Sequence, residues 1–77
     1  MTEPLSPREK QILILTMYGF KAADVAQQLF ISKNTVSNHL ATLQRKLHTK
    51  SRLHTVIMAI ALGYIAPPQL KELEEVK

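Results

Sequence analysis

Lys33, Asn34, Ser37, Asn38, Ala41 and Arg45 are separated by intervals of one, three or four residues, the spacing that places them on one face of an α-helix. Their ammonium, guanidinium, amide and hydroxyl groups form a face rich in hydrogen-bond donors that carries no carboxylate. From Val25 through Lys71 the chain contains no Asp or Glu, so Lys33, Arg45, Lys46, Lys50 and Arg52 have no acidic neighbours in sequence. Such a face is the electrostatic footprint of a domain that lies on a phosphate backbone and offers a helix to the major groove. A solvated polar helix face with no ligand has the same composition, so the elements that position these residues matter.

Ser6-Pro7-Arg8-Glu9 combines a Ser N-cap, Pro at the first helical position and Glu three residues after the cap. It predicts a first helix from Pro7 to about Tyr18, with Ile12, Leu13, Leu15 and Thr16 facing inward and Gly19 as a left-handed stop. A second helix is expected at about Ala22 to Leu29, burying Val25, Ala26 and Leu29, although Lys21 is a poor cap. Phe30-Ile31-Ser32 makes the turn. The third helix is expected from Lys33 to about Leu47, with Val36, Leu40, Leu43 and Leu47 on its buried side. Ser51 caps a fourth, Arg52 to Leu62, which Gly63 ends. Val56, Ala59 and Ile60 suffice for its core contacts, leaving Ile57, Met58, Ala61 and Leu62 as surplus apolar surface suited to a second protein surface. After Pro67-Pro68, Gln69 to Lys77 has the spacing for a short amphipathic helix carrying Leu70, Leu73 and Val76. The fold class is therefore all-α, with residues 1–66 as one domain and 67–77 as a tail.

Seventy-seven residues allow a single small core. With no cysteine, neither disulfides nor thiolate metal sites are available, and His39, His48 and His54 lack a zinc-ligand spacing. No metal or cofactor is expected. No apolar run approaches the roughly 20 residues that span a bilayer, and Met1 to Ser6 does not resemble an export signal, so no membrane partner and a cytoplasmic location are expected. The two glycines, Gly19 and Gly63, read as helix stops, and no nucleophile-base pair stands out, so no enzymatic activity is expected. The net charge of +4 and pI near 9.7 favour a polyanionic partner, the more so because the acids lie toward the ends of the chain.

Leu5-Ser6-Pro7-Arg8-Glu9, Gly19, Val25-Ala26, Leu29, Ile31-Ser32, Thr35-Val36, His39, Lys46-Leu47, Ser51-Arg52, Val56, Ala59 and Gly63-Tyr64-Ile65 together resemble the LuxR/GerE-type helix-turn-helix domains of bacterial transcription regulators. The resemblance implies a four-helix domain that binds double-stranded DNA, frequently as a dimer. This sequence departs from the family at Lys21, where a small polar cap is usual, and at Phe30 and His48, where Gly is frequent. In many relatives the domain is the output end of a longer protein with a receiver or ligand-binding domain; the expectation here is an output domain alone.

In a helix-turn-helix the N-terminal half of the second helix enters the major groove. The resemblance thus implies base reading by Lys33, Asn34, Ser37, Asn38 and Ala41: Asn38 suits adenine, Lys33 guanine, and Ala41 a thymine methyl. Thr35, His39, Lys46, Lys50 and Ser51 fall to phosphate contact, His39 serving equally well as a boundary residue; Ser37 suits either base or phosphate, and Arg45 completes the outward, DNA-binding face. Glu9 is expected in the capping box and as an ion-pair partner for Arg52. Ile57, Met58, Ala61 and Leu62 are expected to form a homodimer interface, with packing against the tail as the alternative. The leading expectation is a sequence-specific transcription regulator, which could also meet RNA polymerase or another regulator. A sigma-factor promoter-binding region is a close variant that the fourth helix argues against. The reading from a different class is a protein-interaction module that uses its apolar fourth helix to bind and modulate another regulator.

Overall fold

The computed structural model describes residues 5–66, which form four helices and, among those residues, no strand. Helix α1 spans Pro7–Met17. The Ser6 hydroxyl accepts the Glu9 N–H at 3.1 Å, and the Glu9 carboxylate accepts the Ser6 N–H at 2.9 Å. This reciprocal box satisfies two donors that a helix start leaves unpaired. The helix ends at Met17, one residue short of the expected limit, with Tyr18 as its cap, and Gly19 turns the chain at φ 95°.

Helix α2 is Ala22–Leu29 and α3 is Lys33–Leu47, both with the expected limits. Ser32 caps α3 by accepting the Thr35 N–H at 3.0 Å, and its hydroxyl also meets that of Thr35 at 2.8 Å. Lys21 makes no side-chain cap bond to α2. Both helices end on left-handed residues that are not glycine, Phe30 at φ 57° and His48 at φ 55°. A Cβ in that region crowds the following carbonyl, at a cost of about 1–2 kcal/mol. Helix α4 is Arg52–Ala61 with Leu62 as its cap, again one residue shorter than expected. Its Ser51 hydroxyl accepts the His54 N–H at 3.1 Å.

Ile12 and Leu13 of α1, Val25 of α2, Val36 and Leu43 of α3 and Ala59 of α4 are wholly buried. Leu5 and Ile65 close the core at the two ends of the described chain. Helix α1 packs on all three others, and α3 lies between α2 and α4. Leu15, Thr16 and Leu29, expected inward, are half-buried; the Thr16 hydroxyl is satisfied within its own helix by the Ile12 carbonyl at 2.7 Å. The buried polar exception on α4 is Thr55, which bonds the Thr49 hydroxyl at 2.6 Å and donates to the Ser51 carbonyl at 2.7 Å. That pair ties the α3–α4 connection to the start of α4. The amphipathic segment expected at residues 69–77 lies outside the described residues.

Candidate nucleic-acid interface

Helices α2 and α3, with the turn Phe30-Ile31-Ser32 between them, form the helix-turn-helix. The left-handed Phe30 reverses the chain, and the Ile31 N–H donates to the Ala26 carbonyl at 3.0 Å. Ile31 packs against the core. The angle between the helices is therefore set by backbone hydrogen bonding and one apolar plug. With Val36, Leu40, Leu43 and Leu47 buried, the opposite side of α3 faces outward, and there Lys33, Asn34, Ser37, Asn38, Ala41 and Arg45 are all exposed. The structure gathers the base-reading candidates on one continuous helical face.

The flanking candidates divide. Lys50 is exposed at the start of α4, where its N–H meets His54 Nδ1 at 3.3 Å. His39 and Thr35 are half-buried, and the Thr35 hydroxyl is already bonded to Ser32. Ser51 is committed to capping α4. Lys46 is engaged elsewhere: its Nζ lies 3.0 and 3.2 Å from the two carboxylate oxygens of Glu9, and its side chain is 15% exposed.

The ion pair of Glu9 corrects an expectation, because the partner is Lys46 rather than Arg52. Glu9 lies on the buried side of α1, and α1 packs on α3, so the carboxylate meets the last turn of α3. Burial acts to raise the Glu9 pKa. The Ser6 N–H, the hydrogen bond and charge of Lys46, and the Ser6 hydroxyl together outweigh it, and the pKa lies below the ordinary value of 4.5.

On α4, Ile57, Ala61 and Leu62 are exposed and Met58 is half-buried. The expected apolar face is present, and it extends to Leu53, which is 71% exposed. Sequence reasoning missed Leu53, although it precedes Ile57 by four residues and so continues the same stripe. Among the described residues no helix is long and apolar enough to cross a membrane.

Residues 3–59 match the family described as bacterial regulatory proteins, luxR family. The spore germination protein GerE of Bacillus subtilis is 32% identical over 59 residues, covering 77% of this chain and 80% of that protein. The solved structure of the transcription factor GerE superposes with a TM-score of 0.74 over 77% of this chain and 88% of its own. The transcriptional regulatory protein FixJ of Rhizobium meliloti is 39% identical over 62 residues, covering 80% of this chain and 30% of FixJ. Vibrio cholerae VqmA, solved as a ligand–DNA complex, shares 31% identity with a TM-score of 0.74, covering 83% of this chain and 28% of its own. The chain spans less than a third of the length of several regulators it matches, including YxjL of Bacillus subtilis and FixJ. The family is one of DNA-binding regulators and not a class of enzyme. With the matching model, the shared four-helix architecture and the exposed basic face on the second helix of the motif, this chain belongs to the luxR family as its helix-turn-helix DNA-binding domain.

Proposed function

We propose that the domain acts in a sequence-specific transcription regulator, inserting α3 into the major groove and binding as a homodimer in the bacterial cytoplasm. The observation that carries this reading is the exposed face of Lys33, Asn34, Ser37, Asn38 and Ala41, set against a buried face that fixes the rotation of α3. Amides, a hydroxyl, an ammonium and a methyl on that face match the donor, acceptor and methyl pattern of base edges. Lys33, Arg45 and Lys50 supply phosphate attraction, with Thr35 and His39 at the groove edge. Lys46 shares its charge with Glu9, and its first role is to hold the end of α3 against α1.

Homodimerisation is supported by the exposed apolar row of Leu53, Ile57, Ala61 and Leu62 with Met58 beside it. Symmetric dimers suit inverted half-sites about one helical turn apart. VqmA has also been solved as a dimer. The same row is where another regulator would bind in the reading from a different class, the protein-interaction module, and RNA polymerase is a further candidate partner of the DNA-bound domain.

The test is Asn38→Ala, measured by fluorescence anisotropy on the preferred duplex and on a scrambled one. The variant is expected to lose about 1–3 kcal/mol on the preferred site, with relaxed preference at one base pair. Equal losses on both duplexes would remove Asn38 from base reading.

A further inference from the structure

Arg52 stands on a ridge between two clefts. One, of about 190 Å³, is walled by Ala22 at the start of α2, by Ser37, Ala41 and Gln44 on α3, and by Arg52 itself. The other, of about 330 Å³, has Lys21 and Arg52 on its rim together with Phe20 and Leu53. Arg52 thus borders the α3 face that carries the base-reading candidates, and it shares its second cleft with Lys21, which immediately precedes the Ala22 that walls the first. Both are exposed, and among the described residues neither has a carboxylate partner. Glu9, the partner expected for Arg52, is held by Lys46. Asp24, in the first turn of α2, pairs with neither.

Two like charges beside one cleft repel unless an anion lies between them. Lys21 also stands where stability favours Ser, Thr, Asn or Asp, and it leaves α2 without a side-chain cap. A cationic residue in place of a cap sacrifices helix stability for positive charge at that point. A guanidinium presents a planar fork of donors matched to phosphate oxygens, and in the smaller cleft, which Arg52 also lines, Ser37 and Gln44 add neutral donors.

We propose that Arg52 and Lys21 clamp a backbone phosphate of the DNA strand lining the groove that α3 reads. The contact carries no base information; it fixes the depth and register of α3 in the groove. This proposal rests on the DNA-binding reading of the α3 face.

The experiment measures affinity of the wild type, Arg52→Gln, Lys21→Ser and the double variant for a preferred and a scrambled duplex across a salt series, with thermal unfolding of each. Lys10→Gln, which removes one exposed charge from α1 and lines neither cleft, is the control. Each clamp variant is expected to weaken binding to both duplexes about equally, by about tenfold near 0.15 M salt, and to lower the salt slope by about one. Lys21→Ser is expected to do so while unfolding at a higher temperature, because it restores the cap, so its loss of affinity cannot be misfolding. Salt slopes of Arg52→Gln and Lys21→Ser equal to that of Lys10→Gln would overturn the clamp while the wild type's own binding leaves the DNA reading standing. A wild type that binds neither duplex would overturn the reading and the clamp together.

Discussion

At the scale of single residues, Glu9 shows how one carboxylate serves two structures. It closes the capping box of α1 through Ser6 and holds Lys46 at the end of α3. Because its folded pKa is depressed below 4.5, its contribution to stability is complete above that value and is lost as pH falls through the lower, folded-state value. Glu9→Gln keeps a side chain that can still accept the Ser6 N–H, so it isolates the ion pair. The variant is expected to lose about 1–3 kcal/mol at neutral pH by removing the negative charge that Glu9 sets against the half-buried Lys46 ammonium. Urea unfolding between pH 3 and 7 should show a flatter acid limb than the wild type. An unchanged acid limb would mean that Glu9 does not report the pairing. The choice of Lys46 over Arg52 was not legible in the sequence, because the capping box placed Glu9 in the first turn of α1 without fixing the packing of α1 on α3 that buries it.

At the scale of elements, the helix limits were legible because caps announce them. Ser6, Ser32 and Ser51 each accept the expected N–H, and the apolar spacing of α3 fixed which side would be exposed. Side-chain commitments were less legible: Thr35 and Ser51 are drawn into caps, and Thr55 is buried through a hydroxyl pair that hydrophobic periodicity does not report. Phe30 and His48 end their helices in the left-handed region, and Phe30 is 95% exposed, so its ring recovers no burial for the strained backbone. Phe30→Gly is expected to raise stability by about 1 kcal/mol, the relief of the Cβ clash outweighing the entropy of glycine. In a domain this small that corresponds to about 4–8 °C in the unfolding midpoint. A lower midpoint would show that the phenyl ring makes a contact worth more than the strain.

At the scale of the whole molecule, two surfaces lie apart in chemistry: a polar cationic one on α3 and the starts of α2 and α4, and an apolar one along α4. On the proposed reading the first surface holds DNA and the second a second copy of the chain, the two approaching each other at Leu53, which lines the cleft shared by Lys21 and Arg52. Ile57→Asp is expected to shift sedimentation at high concentration from dimer to monomer and to abolish preference for two-fold symmetric sites, while half-site binding persists. Monomer in the wild type, with and without DNA, would sink the dimer and leave the α4 face to another protein.

Whether α3 reads sequence is decided by selecting bound duplexes from a random pool and comparing the winner with scrambled DNA across a salt series. A two-fold symmetric winner that keeps a large affinity advantage as salt rises is expected. No enrichment, with weak binding that vanishes at moderate salt, would contradict it.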